Sequence, residues 1–317
     1  MVSVSKVGAD TFLYEDHQVV WEQLPPNYSW REAAAVAVDV DDNVYVFNRG
    51  DHPMIVFDKK GKFMKSWGEG VFTRPHGVTV GPDKTLFCVD DGDHSVRQCT
   101  FDGKVLMTIG IPGQSSKYQC GDPFNRCTDV AVEPGTGNFY VSDGYGNSRV
   151  HKYSVDGKLL FSWGSPGTDP GEFNIVHNIA TDKSGYVYVA DRENHRVQVF
   201  DSNGRFETQW SNLHRPCAIY ISDDQHVYVG ELGAGMNVNR HMPNIGPRIT
   251  VMDTSGKHLG RIGKGLGLGL GEFQAPHGIA LDSKGNLYVA EVSWTHARNL
   301  GNSVDQVRSF RRLRKVD

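Results

Sequence analysis

The sequence predicts an all-β fold, a six-bladed β-propeller with four antiparallel strands per blade. Three observations carry this reading: a sixfold internal repeat, a hairpin pattern inside every copy, and an unassigned N-terminal strand that can complete the last one. The copies are AAAVAVDVDDNVYVFNRG, PHGVTVGPDKTLFCVDDG, CTDVAVEPGTGNFYVSDG, VHNIATDKSGYVYVADRE, PCAIYISDDQHVYVGELG and PHGIALDSKGNLYVAEVS. Each has a short apolar run, a turn rich in Asp, Gly, Ser or Asn, and a second apolar run, which is a hairpin signature. Most continue into a third alternating run (RVHKYS, RVQVFD, RITVMD), a turn such as DGK or SNGR, and a fourth run such as KLLFSWG. Four short strands at a period of roughly 40 to 50 residues describe a propeller blade.

Equivalent positions in the six copies are Ala34, His76, Thr128, His177, Cys217 and His277, spaced by 42, 52, 49, 40 and 60 residues. The irregular spacing lies in the connections, where GIPGQSSKYQCGDPFNR and GAGMNVNRHMPNIG read as insertions between strands. Loops tolerate such additions because they leave the packed strands undisturbed. The sixth copy has only three strands, so the N-terminal run near Val19 to Leu24 is expected to pair with the C-terminal strand near Gln306 to Phe310 and remove the open edge. A single propeller domain over residues 1–317 follows.

In a propeller the first strand of each blade lines a central channel, so the six equivalent positions form a ring with histidine in alternate blades. Three imidazoles converging on one axis suit zinc, and three protein ligands leave a fourth position for substrate or water. The plainer alternative is that each histidine packs in the channel and bonds a backbone carbonyl. A second repeat-equivalent set follows the second strand: Arg49 in FNRGDH, Asp91 in VDDGDH, Gly144 and Tyr145 in SDGYGNSR, and Arg192 in ADRENHR. Arginine and tyrosine are poor choices for a tight turn. Arg49 and Arg192 either bridge to the carboxylates of their RGD and RE sequences, or bind a substrate carboxylate beside a metal and stabilise an anionic phenol, with Tyr145 as base.

VSDGYGNSR, ADREN, FNRGDHP and the two PHG segments together resemble the catalytic domain of the peptidyl-α-hydroxyglycine α-amidating lyases, within the NHL-type propellers. The resemblance spans nearly the whole chain. It implies a zinc lyase that splits the N–C bond of a peptide ending in α-hydroxyglycine, with His76, His177 and His277 as metal ligands, Tyr145 as base, and Arg49 and Arg192 on the substrate. The family's structural calcium uses an Asp directly after the last zinc histidine; that residue is Gly278 here, which argues against calcium. The family's cysteine in the tyrosine motif is Gly146 here, so its disulfide is not expected. A metal-dependent ester, lactone or amide hydrolase on the same site, and a non-enzymatic NHL scaffold, are the competing readings.

Bulk properties narrow the partners. With 317 residues, 38% hydrophobic, 22% charged and a net charge of -4, the chain is long enough for a sizeable core and too acidic for a nucleic-acid binder. No apolar run approaches the roughly 20 residues of a membrane span, and MVSVSKVGAD lacks the apolar segment of a signal peptide. A cytoplasmic monomer acting on a small molecule or peptide, without nucleic-acid or membrane partners, is the expectation. Five cysteines with no CxxC pair point to free thiols. GKGLGLGLGEF at Gly263 to Phe273 lacks the Lys-Ser or Lys-Thr ending of a phosphate loop and reads as a connection between blades.

Overall fold

The computed structural model describes residues 3–239 and 242–316, and its chain is a six-bladed β-propeller. Five sheets have four antiparallel strands each, and the strands follow the chain in simple up-and-down order. The second sheet, for example, runs Pro75–Gly81, Thr85–Asp90, Ser95–Thr100 and Val105–Ile109. Among the described residues no helix is long and apolar enough to cross a membrane.

Burial explains the hydrophobic pattern. Second strands such as Val44–Asn48 and Val187–Asp191 are buried at every position, because both faces of a blade pack on neighbours, and such strands read as continuous apolar runs. Between the second and third blades Phe87, Val89, Val96, Phe124, Val130, Phe139 and Val141 share one core; Ala131, Val150, Phe173, Val176, Val189 and Phe200 continue it toward the fourth. Outer strands such as Val105–Ile109 are largely solvent-facing. The recurring turn aspartates tie each hairpin. Asp182 accepts the backbone N–H groups of Ser184 and Tyr186 and the hydroxyl of Tyr188, and Asp39 and Asp282 act likewise on Tyr45 and Tyr288. All five cysteines are free thiols, with Cys120 exposed and the other four buried.

By its internal contacts the chain divides into two compact units, Met1–Glu69 with His226–Asp317, and Gly70–Gln225. In the first unit the N-terminal segment completes the sixth blade, but through different residues from those expected. The pairing strand is Tyr14–His17, with Tyr14 opposite Lys315 and Asp16 opposite Leu313, and Val4–Val7 adds a fifth strand outside it. Residues 19–24 form no strand and contribute one isolated bridge, Gln23 to Lys62. The C-terminal strand is Phe310–Lys315, later than expected, because a short helix, Ser293–Asn299, takes up chain beforehand.

The reason for this register is electrostatic. Asp16 is fully buried and is held by Arg311 and Arg308, each at 3.0 Å, and by the backbone N–H of Gly271 at 2.8 Å; Arg311 also binds Glu291. A buried carboxylate needs such partners, and the one acid of residues 19–24, Glu22, bonds Trp30 and feels Arg308 and Arg311 only through their charge. Asp16→Ala should leave the buried Arg311 with Glu291 as its remaining acid partner and cost about 3 kcal/mol of unfolding free energy. A denaturant midpoint within experimental error of the parent's would show that this pair does not hold the closure.

Candidate metal centre

The strand positions that carry the histidines are irregular by construction. Pro75 pairs with Asp90 and Gly77 with Val89, so His76 is the extra residue of a β-bulge. His277 is likewise the extra residue between Pro276 and Gly278, as is Ala34 between Ala33 and Ala35, and the register slips across His177 between Val176 and Ile179. A bulge lifts a residue out of the pleat's alternation and re-aims its side chain.

Each imidazole is then fixed at one nitrogen. Nδ1 of His76 lies 2.7 Å from the carbonyl oxygen of Thr128, Nδ1 of His177 2.8 Å from that of Cys217, and Nδ1 of His277 2.6 Å from that of Ala34. A carbonyl oxygen only accepts, so Nδ1 carries a proton in all three, and in the neutral ring Nε2 keeps the lone pair. The alternation of residue types thus has a structural basis: the three non-histidine repeat positions supply the carbonyls, and their side chains, Ala, Thr and Cys, are small. Ring nitrogens of His76, His177 and His277 all lie within 4.8 Å of one another. Three carbonyl-oriented imidazoles this close are compatible with a divalent metal site. Burial pushes the Cys217 thiol up to about 12, so it is a neutral neighbour of His177 and not a ready thiolate ligand.

Tyr145 belongs to this cluster. Its hydroxyl is 3.1 Å from Nε2 of His76 and 3.1 Å from Nε2 of His177. Gly144 makes the approach possible, because a Cβ there would stand 1.6 Å from the Val176 carbonyl oxygen. The guanidinium of Arg192 lies 5.6 Å from the Tyr145 ring centroid and pairs with Glu193 at 2.8 Å. Arg49 is buried and pairs with Glu32 at 2.8 Å, not with Asp51 of its RGD sequence. The RE pairing expected of Arg192 is present, and it coexists with the contact to Tyr145.

Several residues of the site escaped the sequence reading. Arg126 stacks on Tyr145, its guanidinium 4.5 Å from the ring centroid, and binds Asp91 at 2.6 Å; Arg74 binds the same carboxylate. Arg215 pairs with Glu193 at 2.9 Å. Burial opposes ionisation of Glu193, but Arg215 and Arg192 hold its carboxyl below the usual range. Arg74, Arg126 and Arg215 each stand two residues before a repeat-equivalent position, a regularity the aligned copies contained. The acids that end the second strands were also missed. Asp90 accepts the backbone N–H of Arg74, Asp143 that of Asn125, Asp191 that of Asn174, and Glu291 those of Gln274 and Ala275. These bonds fix the chain that enters each first strand.

At the position after His277, a Cβ on Gly278 would stand 2.7 Å from Ala35 Cα. The neighbouring backbone would have to shift to admit any side chain at this position, and Gly278 offers no carboxylate.

A family model for the NHL repeat matches residues 124–153, 173–200 and 273–297. Over 287 residues the chain is 30% identical to NHL repeat-containing protein 3 of Homo sapiens, covering 84% of this chain and 78% of that protein. It therefore belongs to the NHL-repeat propellers. Within them it is a homologue of the amidating lyases: it is 32% identical over 253 residues to peptidyl-alpha-hydroxyglycine alpha-amidating lyase 1 of Drosophila melanogaster, covering 74% of this chain and 45% of that protein. The fold also matches virginiamycin B lyase from Staphylococcus aureus, with a TM-score of 0.57 and 14% identity over 82% of this chain and 78% of that one.

Beside the cluster, Asp129 accepts a short hydrogen bond from the Asn178 side-chain amide, whose oxygen in turn accepts the Ile219 backbone N–H at 2.7 Å. No cation pairs with it among the described residues, and burial raises its carboxyl from 3.8 to about 8. The folded chain thus holds a proton that the unfolded chain has released, so this group's contribution is full below the unfolded value and is lost as pH rises through the folded one. Asp129→Asn should remove that loss: between pH 5 and about pH 9 the parent's melting temperature should fall relative to the variant's. Parallel curves would show that the carboxyl ionises normally.

Proposed function

We propose that the chain is a metal-dependent lyase, with zinc the favoured metal, acting on peptidyl-α-hydroxyglycine or a related small α-hydroxy amide. The N–C bond breaks, the hydroxyl-bearing carbon becomes the aldehyde of glyoxylate, and the nitrogen leaves as a primary amide after gaining the proton lost by the hydroxyl. The observation that carries this reading is the Tyr145 hydroxyl set 3.1 Å from two Nε2 atoms whose rings are fixed by Nδ1–H bonds to backbone carbonyls. The lyase-named homologue supports it. A scaffold protein has no use for two oriented imidazoles sharing a phenol.

His76, His177 and His277 would hold the metal through Nε2, and a bound divalent ion supplies a Lewis acid for an oxygen ligand. Tyr145 takes the substrate hydroxyl proton at its phenolic oxygen and passes one to the leaving nitrogen, the work of a positioned acid–base group. Arg192 sits beside it to neutralise the substrate carboxylate, and charge-assisted guanidinium bonds orient as well as attract. Arg49 is assigned to the same carboxylate by the family resemblance, sharing its charge with Glu32.

Glyoxylate release from α-hydroxyhippurate or a hydroxyglycine peptide should be lost with a chelator and return with zinc. His177→Ala should lower metal content and activity together; full activity without bound metal would refute the assignment. A carboxylic acid product in place of glyoxylate would instead identify a hydrolase. Tyr145→Phe should keep its metal while kcat drops by ~10²- to 10⁴-fold. A kcat within threefold of the parent's would leave Tyr145 a structural residue.

A further inference from the structure

Two clusters of the same composition flank Tyr145, each with two arginines on one carboxylate. In one, Arg192 and Arg215 share Glu193; all three are largely buried, and Arg192 faces the phenol ring. In the other, Arg74 and Arg126 share a single oxygen of Asp91, and Arg126 faces the same ring at 4.5 Å. The proposed reaction uses only the first. The second differs in exposure: the Asp91 side chain is 0% exposed, whereas those of Arg74 and Arg126 are 35% and 42% exposed. Arg126 spends Nε and Nη2 on Asp91, and Arg74 spends Nη1. Their remaining guanidinium N–H groups take no partner among the described residues.

Two cations against one buried anion leave one positive charge uncompensated. The nearby acids do not cancel it: Asp93 is matched by Arg97 at 2.6 Å, and Asp90 is buried, engages backbone N–H groups, and has its carboxyl pushed up by that burial. A rigid carboxylate that pins two guanidiniums while their outer N–H groups face solvent is preorganised for a second anion, since the cost of orienting both arginines is met within the fold.

We infer that the Arg74–Asp91–Arg126 cluster is a second anion-binding locus of the site, selecting peptides with an acidic residue directly before the terminal glycine unit. The inference rests on the lyase reading for its substrate but not for its charge. Binding is read with two dipeptides that cannot be cleaved, acetyl-glutamyl-glycine and acetyl-glutaminyl-glycine, titrated calorimetrically into the full chain at low salt. The glutamyl compound should bind about fivefold more tightly or better, the scale of one charge-assisted hydrogen bond at a part-exposed site.

Arg126→Gln should bring the two affinities within about twofold of each other. Asp91→Asn frees both guanidiniums from their shared anchor and should likewise narrow the preference, although it raises the local positive charge. No preference in the parent, including no binding of either compound, overturns the inference, as does a preference in Asp91→Asn at least as wide as the parent's. A parent that prefers the glutamyl dipeptide but releases no glyoxylate from hydroxyglycine peptides keeps the anion locus and loses the lyase reading. Glyoxylate release with equal affinities for the two dipeptides does the reverse.

Discussion

His76, His177 and His277 each donate Nδ1–H to a backbone carbonyl of a neighbouring blade, at 2.6 to 2.8 Å, and the chemistry of the site depends on that bond. It sets the tautomer, presents Nε2 as a lone pair, and stops the ring from turning away. The acceptors are Thr128, Cys217 and Ala34, so each histidine requires its neighbouring first strand at the correct height. The bulges at His76 and His277 serve the same end, by freeing these residues from the pleat while their flanking residues stay in the ladder.

The carboxylates at the ends of the second strands add a further layer of support. Asp90, Asp143, Asp191 and Glu291 accept backbone N–H groups from the chain just before the first strand of their own blade. Those segments carry Arg74 and Arg126, so the same bonds that orient the first strands also set the arginines. Gly144 completes the arrangement, since only a residue without a side chain lets the Tyr145 turn rest on the Val176 carbonyl.

Electrostatically, the site joins neutral donors to an excess of cationic groups. Three imidazoles offer lone pairs without charge, while two arginine pairs, each held by a single carboxylate, lie around a phenol. Such a field favours anionic ligands and negative charge on oxygen, and it relies on burial of Asp91 and part-burial of Glu193 to keep the cations in place. The acidic net charge of the whole chain says nothing of this local sign.

Much of the fold was legible because propeller blades are local: hairpins, their Asp-rich turns and their apolar runs recur within about 40 to 50 residues. The same repeat placed His76, His177 and His277 at equivalent positions, and motif resemblance picked out Tyr145 with Arg49 and Arg192. Pattern alone did not locate the closing strand, since the run near Val19 to Leu24 is more apolar than Tyr14–His17; the partners of Asp16, Arg308 and Arg311, lie 292 and 295 residues away in sequence. Nor did it reveal that Arg126 covers Tyr145, that Asp91 binds two arginines, or that the Ala35 backbone crowds Gly278. The sequence determined which residue types recur and at what period, because strand and turn propensities act over a few residues. Only the tertiary structure decided which nitrogen of each histidine is occupied and which charges meet, because those contacts join segments that local propensity cannot relate.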